Sequence, residues 1–202
     1  MARPKNTPEK IDRMRNSMMD AVISLLDHVS PDKVSIRMIA EKVGVSHMVF
    51  YTYFKDRDEI MQVLIERERK RINDHFAAKL EKARTASAKS VMQELISEYM
   101  QTAEEHPKIF RLFWLDPMIE ENQEHSRFNQ LDDAIASLSK LVKIGIEKGE
   151  FNKRNERLAA TTIMAIINGP IVMEQCKKLP ADIKCAKLME QITLAAFSYL
   201  QS

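Results

Sequence analysis

The chain has 202 residues, of which 45% are hydrophobic and 30% charged, with a formal net charge of +2. That is enough apolar chain to bury a real core, and a balance so near neutral does not by itself point to a nucleic-acid partner. Only 4 glycines, no apolar run approaching a membrane span and no apolar leader in MARPKNTPEK lead to an all-α, soluble, cytoplasmic protein as the expectation.

The first helix is expected from Thr7-Pro8, an N-cap followed by proline at the first helical position, to about His28. Ile11, Met14, Met18, Val22, Leu25 and Leu26 keep helical spacing along it. Arg3, Lys5, Lys10, Arg13 and Arg15 make a basic arm that either touches phosphate or a minor groove or is simply solvated. Ser30-Pro31-Asp32 breaks the helix. Ser35 then caps a short helix from Ile36 to Val43, and Gly44 stops it in the left-handed turn that glycine tolerates. Ser46 caps a second short helix, His47 to about Tyr53. Asp56 to Glu59 reads as a capping box opening a long helix from Arg57 to about Ala83.

Further helices are expected over 88–105, 107–115 and 126–148. Another, from Asn155 to about Lys177, is interrupted at Gly169-Pro170, and a last one runs from Pro180-Asp182 to Leu200. The expected division is an N-terminal domain over 1–56 and a helical domain over 57–202. Cys176 and Cys185 stand in no metal-ligand or redox spacing. The five histidines are dispersed, and no nucleophile with a matched base and no phosphate-binding glycine loop appears. The expectation is therefore no enzyme, no cofactor and no metal.

The function-bearing segment is Ser35 to Ile60. Two short helices around Gly44-Val45-Ser46 fit a helix-turn-helix, with Ile39, Ala40, Val43, Val45, Val49 and Phe50 facing inward. Phe50 and Phe54, four apart, both point inward, which leaves Tyr51 and Tyr53 off that face. His47, Met48 and Thr52 are then candidates for base edges, and Arg37 for guanine or the backbone.

This stretch closely resembles the tetracycline-repressor (TetR) family, through Ile39-Ala40, Gly44-Val45-Ser46, Tyr51, Tyr53-Phe54 and Asp58-Glu59 in order and at the family spacing. It departs mildly at Val43, Arg57 and Ile60, where alanine, lysine and leucine are usual. The resemblance, together with charge, makes Ser35, Ser46, Tyr51, Tyr53, Lys55 and Arg57 candidates for phosphate contacts. It also implies an N-terminal three-helix DNA-binding domain and a C-terminal helical bundle that binds a small effector and forms a homodimer.

Met100, Phe110, Phe113, Trp114, Met118, Phe128, Met164, Asn168 and Met173 supply adaptable, mostly apolar surface for such an effector, with Thr161, Thr162, Gln175 and Tyr99 as polar groups. The last two helices carry apolar stripes suited to a dimer: Ala159, Ile163, Leu188, Ile192, Ala195, Ala196 and Tyr199. The expected partners are double-stranded operator DNA, a small-molecule effector and a second copy of the chain, with no membrane. Two rivals stay open here: a helical binding protein whose motif no longer reads DNA, and an enzyme using the C-terminal cavity. A mobility shift on DNA separates the first rival, and ligand turnover the second.

Overall fold

The computed structural model describes residues 7–114 and 130–202, and every described regular element is helical. The helices are α1 (Pro8–Leu26), α2 (Ile36–Val43), α3 (His47–Phe50), α4 (Arg57–Thr85), α5 (Ala88–Glu105), α6 (Pro107–Trp114), α7 (Gln130–Glu147), α8 (Glu156–Gln175) and α9 (Cys185–Gln201), with a 3-10 turn at Pro31–Lys33. Met118 and Phe128, proposed for the effector site, and Arg3 and Lys5 of the arm lie outside the described residues.

Two compact units form. One takes in residues 7–70 and 108–114 of the described chain, the other 71–107 and 130–202. The expected division at residue 57 is the N-terminus of α4. The packing instead carries the first unit on through part of α4 and adds most of α6 to it.

The first unit, or head, is built on the apolar side of α1. Met18, Val22 and Leu26 are fully buried with Ile39 of α2, Phe50 and Phe54 around α3, and Ile60 and Leu64 of α4. Leu112 joins this core, and Ile109 and Phe113 pack against it. Gly44 closes α2 at φ +78, and Val45 N–H donates back to Ala40 O at 2.9 Å. A Cβ at Gly44 would meet nothing within 4 Å, so the position requires the left-handed backbone rather than space.

The second unit packs α5, α7, α8 and α9. Their cores are Val91, Met92 and Ile96; Ala134, Leu138 and Val142; Ala159, Ile163 and Ile167; and Met189, Ala196 and Leu200. The expected break at Gly169-Pro170 is absent, and Pro170 sits inside a continuous α8. A mid-helix proline forfeits one backbone bond and costs ~3 kcal/mol. Burial of Pro170 with Ile163, Ile167 and Ile171 in one core outweighs that cost. α9 starts at Cys185, later than expected, because Pro180 to Ile183 close a separate turn, with Ile183 N–H on Pro180 O at 3.0 Å.

The loop after α7 ties the other end of this unit. Gly145 lets the Phe151 ring approach: a Cβ there would lie 2.1 Å from Phe151 Cδ2. The Lys148 ammonium donates to the Ala83 and Ala86 carbonyls at the end of α4. Glu150 accepts from Ser87 Oγ at 2.7 Å, Ala88 N–H at 3.1 Å and Lys89 N–H at 2.9 Å at the start of α5.

Candidate nucleic-acid interface

α2, the Gly44 turn and α3 form a helix-turn-helix whose inner face is apolar and whose outer face is free of internal work. Ser35 Oγ accepts from Met38 N–H at 3.3 Å, capping α2 and fixing where it begins. α3 is shorter than expected. After Phe50 the chain continues as tight turns, with Thr52 N–H on Val49 O at 3.0 Å and Tyr53 N–H on Phe50 O at 2.9 Å. Ser46 precedes α3 in extended conformation, and its hydroxyl makes no cap bond, so it remains available to a phosphate.

The structure sorts the expected DNA contacts. Arg37, Ser46, His47, Met48, Tyr51, Thr52 and Lys55 are exposed, Met48 at 73%. A thioether so exposed has no packing role inside the subunit, and it suits contact with a thymine methyl. The Tyr51 ring stands edge-on to His47, centroids 5.3 Å apart, and to Phe50 at 5.7 Å. Its orientation is therefore set from both sides. Lys55 Nζ approaches Asp56 only at 3.8 Å, a weak exposed pair that leaves its charge to solvent.

Two expected contacts take other tasks. Tyr53 is half-buried and packs against the head core, so the pair of outward tyrosines reduces to Tyr51. The Arg57 guanidinium points back into the head. Nε donates to Val34 O at 2.8 Å, one terminal nitrogen to Pro31 O, and the other to Asp58 at 3.4 Å. Arg57 thus acts on the segment that precedes α2.

Sequence reasoning missed Arg15, which it had counted only in the basic arm. Its guanidinium lies 4.0 Å over the Phe54 ring, donates to the Tyr53 carbonyl and pairs with Glu59 at 3.5 Å. Glu59 in turn accepts from Lys55 N–H at 2.5 Å, while Glu59 N–H donates to Asp56 Oδ1 at 2.8 Å. The Asp56 half of the expected capping box forms in its expected register, the Glu59 carboxylate reaches one residue further back, to Lys55 N–H, and Arg15 locks the box onto the end of the reading segment. The available signal was its place beside the stripe of Met14 and Met18, where a solvated arginine would have no apolar neighbour. Arg67 similarly joins α4 to α1 through Asp20 at 2.9 Å and holds the buried Glu68 carboxylate at 3.0 Å.

The effector candidates divide between the units. Phe110, Phe113 and Trp114 belong to the head unit; Phe110 is fully buried beside Trp114, with centroids 6.3 Å apart. Met100, Met164, Asn168 and Met173 belong to the second unit, where Met164 is buried and Met173 is exposed. Thr161 and Thr162 donate to the carbonyls of Arg157 and Leu158 in their own helix, at 2.8 Å each, which commits their hydroxyl protons. Tyr99 Oη donates to Asn168 Oδ1 at 2.7 Å. Burial pushes the Tyr99 phenol well above its ordinary pKa, and the bond to Asn168 only partly opposes this. Both polar side-chain atoms of Gln175 are buried without a partner among the described residues.

Of the dimer candidates, Ala159, Ile163 and Ala196 are buried in the subunit's own core, Leu188, Ile192 and Tyr199 are half-buried, and Ala195 is exposed. The exposed apolar surface lies one position round each helix, at Leu158 (63%), Val172 and Met173 on α8 and Leu194 (62%) on α9. Among the described residues no cluster of three metal-ligating side chains occurs, and no helix is long and apolar enough to cross a membrane.

A short capped helix, a left-handed glycine turn and an outward polar and aromatic reading segment define a helix-turn-helix DNA-binding regulator. Residues 19–64, the heart of that head, match the family of bacterial regulatory proteins described as the tetR family. The head therefore carries the DNA-binding domain of the TetR family of transcriptional regulators. The chain is similar to the HTH-type transcriptional regulator BetI of Proteus mirabilis, 23% identical over 86% of each chain. Its fold matches the Bacillus subtilis regulator FadR solved with stearoyl-CoA, with TM-score 0.64 and 18% identity over 91% of this chain and 97% of that one. It also matches a TetR transcription regulator from Haloarcula marismortui, with TM-score 0.68 and 14% identity over 94% and 97%. At these identities the solved structures speak for the fold.

Proposed function

We propose that this regulator is a repressor that binds a palindromic operator as a homodimer and is released by a small, mostly apolar effector held in the second unit. The observation that carries the dimer is the exposed face of α8 and α9. Leu158, Ala165 and Val172 recur at heptad spacing, with Thr162 and Gly169 between them, and Leu194 and Ala195 lie on the exposed side of α9. A seam of this kind, small at its centre and apolar at its ends, suits a four-helix interface about a two-fold axis. Two-fold symmetry then matches half-sites about one helical turn apart, roughly 34–36 Å.

The effector reading is supported by the buried, mostly apolar layer of α5 and α8, into which the Tyr99–Asn168 bond and the Gln175 amide bring polar groups. The FadR structure with stearoyl-CoA shows that this fold accommodates a ligand of large apolar surface in that protein. An effector that binds one conformation better shifts the spacing of the two heads and so the affinity for DNA. Light scattering combined with a mobility shift on DNA flanking the gene tests the proposal: a dimer and a shifted palindromic fragment are expected. A monomer at micromolar concentration that still shifts the fragment with full affinity would refute it.

A further inference from the structure

α8 presents one stripe in which apolar and amide side chains alternate: Met164, Asn168, Ile171 and Gln175 follow one another at spacings of four, three and four. Met164 and Ile171 are buried. Asn168 is spoken for on its oxygen side by Tyr99 of α5 at 2.7 Å, which turns its amide nitrogen the other way. Gln175 is different. Its Oε1 and Nε2 are both removed from solvent, and neither has a hydrogen-bond partner among the described residues. A buried polar group left unbonded is destabilising, and the last residue of a helix has rotamers that reach water. An amide kept inside at that cost marks a place where something else completes it.

The surroundings narrow what that is. Cys185, at the start of α9, has its thiol pKa raised by burial and by the carboxylates of Glu174 and Glu104. The ends of α5 and α8 therefore bring two carboxylates toward the start of α9. The lysines of the α8–α9 connection, Lys177, Lys178 and Lys184, are exposed. A carboxylate or phosphate head would satisfy Nε2 only by setting a negative charge against Oε1, and burying that charge without a cation is expensive. A head that both donates and accepts satisfies both atoms at once.

We propose that Gln175 is the polar anchor of the effector site, reading a neutral head that both donates and accepts hydrogen bonds, such as a primary amide or an alcohol, at one end of an apolar body. The inference rests on the reading of the second unit as effector-binding, and it names the ligand class of that site. The apolar body lies along Met164 and Ile171, and the Tyr99–Asn168 pair offers a second polar contact part-way along it.

Calorimetry on the 202-residue chain with three probes of matched overall size, decanamide, decanoate and decyl methyl ether, tests this. Decanamide should bind roughly 10-fold more tightly than the other two. Gln175→Met, an apolar side chain of similar length, should bring decanamide down to the level of the ether, leave the ether unchanged and raise the melting temperature of the ligand-free protein. Should Gln175→Met fail to fold, Gln175→Glu serves instead, and it should lose decanamide at pH 8. Equal affinity of the wild type for decanamide and the ether, or a Gln175 variant that keeps full decanamide affinity, would overturn the anchor while leaving the effector reading standing. If none of the three probes binds or releases DNA, the effector reading falls and the anchor with it.

Discussion

The two units handle their polar groups in opposite ways. In the head, the side chains that hold the reading segment are fully engaged. Arg15 ties Tyr53, Phe54 and Glu59, Arg57 holds the Pro31 and Val34 carbonyls, and Ser35 and Asp56 cap helices. What remains exposed there, His47, Met48, Tyr51, Thr52 and Lys55, has little left to do inside the subunit. In the second unit the unfinished groups are an apolar strip at the surface and an amide in the interior. A rigid reader needs its scaffold satisfied before DNA arrives, whereas a unit that responds to a ligand or partner keeps interactions in reserve.

The comparison breaks most visibly at the exposed seam. Leu194→Glu or Ala165→Glu should leave each subunit folded yet give a monomer by light scattering, with operator affinity down by ~10²-fold or more as the two heads cease to act together. Ala196→Glu, at a position only 1% exposed, should instead unfold the second unit, because it puts an unpaired charge in the core. If Leu194→Glu and Ala196→Glu behave alike in thermal melts, the inner and outer faces of α9 have been misassigned.

Next in size is the head scaffold. Arg57→Ala removes two charged hydrogen bonds to carbonyls and should cost on the order of 3 kcal/mol of head stability, read by chemical denaturation. Arg57→Lys should recover little, since one ammonium cannot reproduce the guanidinium fork. An Arg57→Ala variant that is fully stable but weak on DNA at every sequence would restore the phosphate role to this residue. Substitutions at the reading surface should be milder and leave stability untouched. Met48→Ala or His47→Ala should change preference at single operator positions by about 1–3 kcal/mol. Lys55→Ala should weaken binding at all sequences and lower the salt slope by roughly one.

The smallest effect concerns acid. Burial pushes Glu150 up, but hydrogen bonds from Lys89 N–H, Ser87 and Ala88 N–H, together with the Lys148 charge, hold its carboxyl below the ordinary value. A depressed folded-state pKa contributes stability above the ordinary carboxylate range, and that contribution is lost as pH falls through the folded value. Glu150→Gln should cost about 1 kcal/mol near neutral pH, as for other helix caps. The difference from wild type should vanish in acid, and a penalty that persists at pH 3 would assign the effect to packing.

Local chemistry made much of this protein legible. Ser35, Gly44 and Asp56 announce helix boundaries because capping and left-handed turns depend on a few neighbouring residues, and α2 and α5 fall where the sequence places them. The helix-turn-helix and its family could be read from Ile39 to Glu59 for the same reason. The facing of side chains required the tertiary structure. Arg57 and Tyr53 read from the sequence as DNA contacts, and only the structure places Pro31, Val34 and the head core beside them, just as Arg15 gains its task from residues far along the chain. α8 is apolar nearly all round, so its pattern cannot say that Ala159 and Ile163 face inward while Leu158 and Val172 face out. Nor does the sequence distinguish the Gln175 amide from a solvated one. Periodicity and capping are local properties, but burial is decided by whichever distant helix covers the residue.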